Sequence, residues 1–321
     1  MMKFKFSFPQ LVVSFAFLLF SEHLLGNDSE KEDKVNKTSE KTEGLFKKLD
    51  EFQSTVNTMM QYTASWLDNF GTDDDNDQKN GASASGYVQF GWIPRTSDLT
   101  DLEHKFKVHL SLPNWNNKIA LVLDNNDEDE LKPDYEADSI SQGDDTEELN
   151  IAVQFLKTFD NNLNVKYRLG LSRGQVYARI AFKQHWNFEH YKLSIVPRID
   201  YFSEDGWAPS IKGALLYPLE NNMLSFSASV QKVQDEFDSR QKIGLYHIYN
   251  TRGTEQLVSG IQYYNDKISN ESLLLSVRYR NLIYKKWLYI EIEPFIEFNQ
   301  ENGYRKEFGI ALRLITFYGS E

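Results

Sequence analysis

From residue 86 to the C-terminus, apolar and polar side chains alternate with a period of two, and this alternation limits the fold more than any other feature of the sequence. Residues that alternate in this way place one kind of side chain on each face of a β-strand. No segment of helical period interrupts the region, so the crossover connections that a parallel sheet requires are missing. Fourteen strand-like runs follow one another, at 86–95, 104–112, 117–124, 148–158, 163–172, 175–187, 190–203, 208–217, 222–233, 239–250, 254–264, 271–283, 287–299 and 304–318. We predict an antiparallel sheet of consecutive hairpins with about 14 strands and a range of roughly 12–16.

The length of these runs and the residues that alternate in them distinguish a membrane barrel from a soluble sandwich. In the run 287–299, Leu288 and Ile290 lie on an apolar face, while Glu291 and Glu293 lie on the opposite face. Strands of soluble sandwiches are usually about six residues long. Many runs here are longer and match the roughly 9–11 tilted residues that cross a bilayer. We therefore predict an all-β fold, a transmembrane antiparallel up-and-down β-barrel.

Connection lengths favour the same fold, because membrane barrels have short periplasmic turns and longer outer loops. If both termini lie in the periplasm, the even-to-odd connections are expected to be short, and all six of them are. The other series contains the longest connection, 125–147, and one exception, the tight turn at Arg173 and Gly174. The same placement of the two termini requires an even number of strands.

The N-terminal region divides into segments of different composition. Lys3 and Lys5 precede an apolar run, Leu11 to Phe20, which is too short to span a bilayer and is typical of a secretory signal. The predicted organisation is a signal peptide at 1–26, a flexible tether at 27–43, an amphipathic helix at 44–70, a polar linker at 71–85 and the transmembrane β-barrel at 86–321.

The predicted helix at 44–70 has one apolar stripe, because its apolar residues recur at spacings of three and four. Members of the stripe include Leu45, Leu49, Phe52, Val56, Met59, Trp66 and Phe70. The stripe is compatible with three positions. The helix packs on the rest of the protein or on a second copy of the chain, lies on a membrane surface, or fills the pore.

Composition restricts the chemistry that the chain performs. It contains no cysteine, which excludes disulfides, thiolate metal sites, cysteine nucleophiles and a lipoprotein anchor. A net charge of −12 disfavours nucleic acid as a partner. After the N-terminal run, no apolar segment approaches the roughly 20 residues of a membrane helix. We expect no cofactor, no metal site and no nucleic-acid partner.

The C-terminal strand resembles the last strand of Gram-negative outer-membrane β-barrel proteins, in which a polar residue and a glycine precede alternating apolar residues. The matching positions here are Glu307, Gly309, Leu312, Leu314, Phe317 and Tyr318. The chain departs from that pattern by ending in Gly-Ser-Glu. The resemblance covers the signal and residues 86–321, is porin-like in pattern, and implies export to the bacterial outer membrane. It also implies outer-membrane lipid, lipopolysaccharide and the barrel assembly machinery as partners.

Aromatic residues near the strand ends are expected to form the girdles that membrane barrels place at the two interfaces. These residues are Trp92, Trp186, Trp207, Trp287, Tyr263 and Tyr264.

The polar face of the predicted barrel is rich in basic residues, although the chain is acidic. Basic residues assigned to the lumen are Lys105, Lys107, Lys118, Lys166, Arg168, Arg179, Lys183, Lys192, Arg198, Lys212, Lys242, Arg278, Arg280 and Arg313. Acidic residues on the same face are Asp200, Glu291, Glu293, Glu297 and Glu307. A basic lumen favours small anionic solutes. The alternative is a structural or surface-interaction barrel without an open channel, in which these charges pair and fill the interior.

The sequence predicts a protein that is not an enzyme, with lipid hydrolysis as a remote alternative. In a hairpin centred on Gly253, His247 and Ser259 are opposite one another on the lipid-facing side. Outer-membrane phospholipases place serine and histidine on that face, but this chain has no H-x-S-N-G-like run. The negative charge is concentrated in the loop from Asp124 to Glu148, which is expected to be solvated and extracellular.

Overall fold

The chain folds into a closed antiparallel β-barrel of 14 strands in which each strand pairs with its neighbours in sequence and β14 pairs with β1. The computed structural model describes residues 33–69, 81–115, 119–125, 149–159, 163–172, 174–233, 236–252, 255–266 and 270–319. One helix, α1 (Asp33–Asn69), precedes the barrel in the described residues. The strands are β1 (Ser83–Trp92), β2 (Leu102–Leu112), β3 (Ile119–Asp124), β4 (Asn150–Phe159), β5 (Leu163–Ser172), β6 (Gln175–Asn187), β7 (Lys192–Phe202), β8 (Gly206–Leu219), β9 (Asn222–Val233), β10 (Glu236–Arg252), β11 (Glu255–Asp266), β12 (Asn270–Tyr284), β13 (Leu288–Asn299) and β14 (Lys306–Tyr318).

The strand count and the position of every strand confirm the prediction from period-two alternation, and only the ends differ. The largest change affects β1, which begins and ends three residues earlier than predicted, so that the last residues of the predicted linker 71–85 belong to the sheet. β10 is 17 residues long and extends beyond both ends of the predicted run. A smaller change at the start of β2 has more consequence, because the strand begins at Leu102 and brings Glu103 into the sheet.

The two ends of the barrel carry different connections. We call the end that carries the start of β1 and the end of β14 the terminal rim, and the opposite end the loop rim. The two longest connections, 93–101 and 125–149, lie at the loop rim as expected. Four other connections at that rim join strands through only two or three residues. The difference between the rims therefore depends on two loops.

Register places the two faces of each strand as the alternation predicts. In the β13–β14 pair, Glu291 is opposite Arg313 and Ile292 is opposite Leu312. Glu291 and Arg313 are almost fully buried inside the barrel. Large apolar side chains such as Leu169 and Ile211 are 60% and 51% exposed on the outer face. The polar face lines the lumen and the apolar face is the exterior.

Part of the lumen is filled by an apolar cluster at the loop-rim half of β12–β14. Ile93, Leu274, Phe295 and Ala311 are buried against one another there. The Phe295 ring lies over Gly309, its partner in the register of β13 and β14. Gly309 belongs to the C-terminal pattern described above, and its lack of a side chain makes room for this ring.

A methyl group at Gly309 is expected to destabilise the barrel. The Cβ of Gly309→Ala would overlap the Phe295 ring, which the surrounding cluster holds in place. Overpacking of this kind costs about 1–3 kcal/mol, measurable by urea unfolding in detergent micelles.

Gly213→Ala is the matched control for this prediction. The nearest atom to a Cβ at Gly213 is the Ser194 carbonyl oxygen, at 4.0 Å, so the added methyl group is accommodated. Replacing Phe295 by leucine in the Gly309→Ala variant is expected to restore part of the lost stability. Equal stability of the two alanine variants would contradict the role of the Phe295 ring.

Helix α1 begins at Asp33, earlier than the predicted start at residue 44. The prediction of a tether over 27–43 is therefore wrong from Asp33 onward, and its first part lies outside the described residues, as does the predicted signal peptide. Residues 33–43 have no apolar stripe and therefore no face for packing. Their lysine and glutamate residues nevertheless favour a helix.

The chain divides into two compact units, Met1–Ser54 and Thr55–Glu321, and the contacts of α1 with the barrel described below belong to the second. Ala64 is fully buried against Ala84 of β1 and Leu110 of β2. Met60 and Leu67 pack against the same cluster. Leu110 points outward in the alternation of β2, so this part of α1 lies on the exterior of the barrel.

Two polar contacts fix α1 on the barrel at the terminal rim. The Gln61 carboxamide donates to the Ala84 carbonyl oxygen at 2.8 Å and accepts from the Ala84 amide at 3.1 Å. The Gln61 side chain thus gives the Ala84 backbone the donor and the acceptor that the backbone of a neighbouring strand would give it. The Asp68 carboxylate accepts a hydrogen bond from the backbone amide of Asn114, at 2.9 Å, in the turn after β2. Burial raises the pKa of Asp68, and this hydrogen bond opposes the increase.

Candidate functional site

The exterior of the barrel has an apolar band bordered by aromatic side chains at both rims. At the loop rim, Trp92 and Trp207 are 46% and 65% exposed, and the Trp207 ring lies 5.0 Å from that of Tyr201. At the terminal rim, the rings of Phe188 and Tyr191 stack at 4.4 Å. An apolar exterior between two aromatic girdles is the surface that a barrel presents to a bilayer. The protein is a membrane-spanning β-barrel.

Four of the six aromatic residues expected in the girdles are confirmed on the outer face of their strands, and a fifth, Trp287, lies in the turn at the terminal rim. The four are Trp92, Trp186, Trp207 and Tyr263. The prediction for Tyr264 is wrong. It is 7% exposed and faces the lumen, because neighbouring residues of one strand point to opposite faces.

Comparisons with known proteins find likeness only among solved structures. No family model matches the chain, and no curated protein matches it. A loop L8 deletion mutant of OmpT, an outer membrane protein of Vibrio cholerae, is 10% identical with a TM-score of 0.45, covering 73% of this chain and 98% of that chain. An anion-selective porin from Comamonas acidovorans is 7% identical with a TM-score of 0.45 and coverage of 74% and 99%. The outer membrane channel DcaP of Acinetobacter baumannii is 6% identical with a TM-score of 0.46 and coverage of 74% and 97%. These likenesses are too weak to assign a function.

Register places the predicted lumen residues on the inner face of their strands wherever the structure describes them. They are Lys105, Lys107, Lys166, Arg168, Arg179, Lys183, Lys192, Arg198, Lys212, Lys242, Arg278, Arg280 and Arg313. Lys118 lies outside the described residues. The basic residues nevertheless belong to two parts of the lumen with different surroundings.

The first part, which we call the paired wall, consists of the lumen-facing residues of β12, β13 and β14 and the first residues of β2. Arg313 is at its centre, with a side chain only 1% exposed. Its guanidinium donates to Glu103 at 2.8 Å, to Glu291 at 2.9 Å and to Glu293 at 2.6 Å. Arg280 donates to the second oxygen of Glu291 at 2.7 Å. Charge is therefore neutralised locally on this wall.

Further contacts extend the paired wall toward the loop rim. Lys105 forms an ion pair with Glu103 at 2.6 Å. Arg95 lies 3.2 Å from Asp101 and 3.9 Å from Glu297. Ser97 hydrogen-bonds to Glu307, and the apolar cluster around Phe295 lies in the same region. This part of the lumen is filled by side chains and carries balanced charge.

The second part, which we call the basic wall, consists of the lumen-facing residues of β5–β8. Its basic members are Lys166, Arg168, Arg179, Lys183, Lys192, Arg198 and Lys212. Asp200 is the one carboxylate on this face of the four strands. It lies 2.8 Å from Arg179 and 3.1 Å from Arg198. This wall therefore has a large excess of positive charge.

The basic side chains of this wall are partly exposed, unlike those at the centre of the paired wall. Lys166, Lys183 and Lys212 are partly exposed and Lys192 is exposed. Small residues such as Ala181 and Ala214 lie between them on the same face. Ala181 and Ala214 are themselves buried, so the longer basic side chains make the water-accessible surface of this wall.

Basic residues continue from the basic wall to β2, where Lys107 is opposite the buried Asp124 of β3. His109 lies on the lumen face of β2, two residues from Lys107 on the same face. The strands between β2 and the basic wall carry short lumen-facing residues, including Ala120 and Ala152. Arg168 donates to Gln154 at 2.8 Å and is opposite Arg179 in register. Two arginines in register opposite one another concentrate cationic charge at the centre of this surface.

The strongly basic lumen that the sequence predicts thus has a second part, the paired wall, where Glu103, Glu291, Glu293, Glu297 and Glu307 lie among the basic residues. The sequence assigned Arg278, Arg280 and Arg313 to the same surface as the lysines of β5–β8. The structure instead surrounds these three with buried glutamates. Glu103 was missed because it lay just before the predicted start of β2, and Arg95, the last residue of the predicted first strand, was not assigned to the lumen. Continuing the period of two through 95 and 103 would have placed them on the lumen face.

The hairpin of β10 and β11 places His247 opposite Ser259 on the outer face, as the predicted register requires. His247 Nδ1 lies 2.7 Å from Asn222 Oδ1, and its ring makes an edge contact with Tyr249 at 4.4 Å. The Ser259 hydroxyl donates to the Tyr249 hydroxyl at 3.4 Å. The histidine and the serine thus each have another partner, which leaves lipid hydrolysis without support from this geometry.

No group of three or more histidine, aspartate or glutamate side chains within the described residues is arranged to hold a metal ion. None of the helical residues that the structure describes forms a segment long and apolar enough to cross a membrane.

Proposed function

We propose that this outer-membrane barrel is a pore for small anionic solutes and that the basic wall lines their path. The observation that carries the proposal is the partition of charge in the lumen. Carboxylates neutralise the cations of the paired wall, whereas Asp200 is the single carboxylate among seven basic residues on β5–β8. A cationic surface in a confined space of low dielectric attracts anions and repels cations.

Barrel size is compatible with this proposal. Eight-stranded barrels are filled by their side chains, whereas barrels of 16–18 strands enclose an aqueous channel. A barrel of 14 strands lies between these sizes, and its size is therefore compatible with a lumen that is only partly filled. The Thr55–Asn69 part of α1 takes up none of the lumen, because it packs on the exterior.

The proposal is tested by conductance of the purified protein in a planar bilayer under a tenfold KCl gradient. The expected result is stepwise conductance with a reversal potential close to that of chloride. The triple variant Lys166→Gln, Lys183→Gln and Lys212→Gln is expected to lower the chloride-to-potassium permeability ratio several-fold, because it removes partly exposed charges from the basic wall.

The control variant removes the same number of positive charges from outside the lumen, as Lys285→Gln, Lys286→Gln and Lys306→Gln. These lysines are exposed at the rims, and their loss is expected to leave the permeability ratio almost unchanged. A barrel that is correctly folded but has no conductance, or a preference for potassium, would overturn the proposal in favour of a structural or surface-interaction barrel.

A further inference from the structure

The Thr55–Asn69 part of α1 has an apolar face on each side, although only one of them contacts the barrel. Ala64 and Leu67 lie on the barrel-facing side. Met59, Tyr62 and Trp66 are 64%, 72% and 51% exposed. Their spacing of three and four residues puts them on one stripe, and a helical wheel places this stripe opposite Ala64. Three large side chains therefore point away from the barrel.

The surroundings of this helix are the exterior of a membrane protein. The helix packs on Val108 and Leu110 of β2 and on Leu121 of β3, all of which point outward in the alternation of their strands. Elsewhere around the barrel, apolar residues of the outer face such as Leu169 and Ile211 are exposed. The helix therefore covers a section of the apolar band, and its own outer face continues that band.

The residue types of this stripe fit the boundary between acyl chains and headgroups. Tryptophan and tyrosine favour this boundary, because an apolar ring carries a polar N–H or O–H group that reaches water. Met59 adds an apolar side chain without polar groups. The neighbouring Thr58, Thr63 and Ser65 are exposed hydroxyl residues that border the stripe. A narrow apolar stripe with polar edges is typical of a helix that lies in the interface plane.

We propose that the Thr55–Asn69 part of α1 is an interfacial helix held between the barrel and the lipid, with Met59, Tyr62 and Trp66 inserted at the membrane boundary of the terminal rim. The occupant of its outer face is phospholipid, because the face is continuous with the lipid-facing wall of β2 and β3. The contacts of Gln61 and Asp68 fix the orientation of the helix, so the apolar stripe faces lipid as soon as the barrel is in the membrane.

Site-directed spin labelling tests this proposal in the complete chain, which has the advantage of containing no cysteine. Single variants Met59→Cys, Tyr62→Cys and Trp66→Cys are labelled with a nitroxide and reconstituted in vesicles of phosphatidylethanolamine and phosphatidylglycerol. Accessibility to oxygen, which is concentrated in lipid, is compared with accessibility to a polar nickel chelate. The three labels are expected to collide with oxygen several-fold more often than with the chelate.

Two further positions serve as matched controls on the same helix. A label at Ser65, exposed on one edge of the stripe, is expected to favour the nickel chelate, and a label at Thr63, exposed on the other edge, is expected to do the same. Introducing Asp68→Ala into the Trp66→Cys protein removes the acceptor for the Asn114 amide and is expected to reduce the lipid exposure of the label. Asp68→Asn keeps an acceptor oxygen and is expected to preserve that exposure.

Two results would overturn the proposal. Labels at 59, 62 and 66 that are all accessible to the nickel chelate would place the face in water. Spin–spin broadening that increases with the protein-to-lipid ratio would show instead that a second copy of the chain covers the face. If the stripe is exposed to lipid but the protein does not conduct, the proposal of an interfacial helix would be supported and only the proposal of a pore would be contradicted.

Discussion

Replacing Arg313 by methionine is expected to cause the largest loss of stability of any single substitution considered for this barrel. The change leaves Glu291 and Glu293 buried without the guanidinium that contacts both, and Glu103 loses its 2.8 Å hydrogen bond. Removing one partner from a buried ion pair typically costs about 3–5 kcal/mol, because the remaining charge is uncompensated. The free energy of unfolding in detergent micelles, from urea titration, measures this loss.

Arg305→Met is the matched control, since Arg305 is exposed in the connection before β14. Exposed substitutions of this kind usually change stability by less than about 0.5 kcal/mol. Adding Glu293→Gln to Arg313→Met is expected to recover part of the loss, because one of the uncompensated charges is removed. If Arg313→Met unfolded at the same urea concentration as Arg305→Met, the paired wall would not be a stabilising network.

Replacing Asp200 by asparagine is expected to change two properties in opposite senses. The side chain is 2% exposed and lies between Arg179 and Arg198, so its neutralisation increases repulsion within the basic wall. Loss of a charged hydrogen-bond partner of this kind costs about 1–3 kcal/mol of folding stability. The same change makes the lumen more positive, so the reversal potential is expected to move closer to that of chloride.

Glu204→Gln removes a carboxylate from the exposed β7–β8 turn and serves as the control for Asp200→Asn. It is expected to leave both the urea midpoint and the reversal potential close to those of the unmodified protein. A reversal potential that does not respond to Asp200→Asn, in a protein that conducts, would mean that ions do not pass along the basic wall. The stability of the same variant would still report whether Asp200 holds the two arginines.

The two lumen predictions depend on opposite features of the same barrel. Arg313→Met tests the paired wall, in which charge is balanced and buried. Asp200→Asn tests the basic wall, in which one carboxylate lies among many cations. Stability is therefore expected to depend most on the paired wall, and ion preference on the basic wall. A reversal potential that shifts with charge on both walls equally would contradict this division.

Strand positions could be predicted closely from the sequence, because each depends on side chains only two residues apart. The faces of Glu291, Arg179 and Lys183 followed directly from that alternation. Tyr264 was assigned to the wrong face, since an aromatic residue at a strand end was taken to be part of a girdle without applying the alternation. The error at Glu103 arose from a strand end, where composition changes before the hydrogen-bonded ladder ends.

The position of the helix could not be predicted, because its apolar stripe is compatible with packing, with a membrane surface and with a pore. Its decisive contact is the hydrogen bonding of Gln61 to the backbone of Ala84, 23 residues away. A glutamine within an amphipathic pattern carries no information about which backbone it will meet. The exposed stripe at Met59, Tyr62 and Trp66 can be interpreted only when the opposite side of the helix is known to pack on the barrel.

The sequence by itself determined the barrel, the approximate number of its strands and the face on which most side chains lie, because alternation is a local property that each strand carries independently. The tertiary structure decided which charges meet. Glu103 and Arg313 are separated by 210 residues and come together only because β14 closes the barrel against β1 and β2. In the closed barrel, the face that the sequence presents as basic therefore contains one wall of balanced charge and one cationic wall. The reason is that ion pairing depends on the distance between side chains in space, whereas the alternation of side chains is a property of each strand alone.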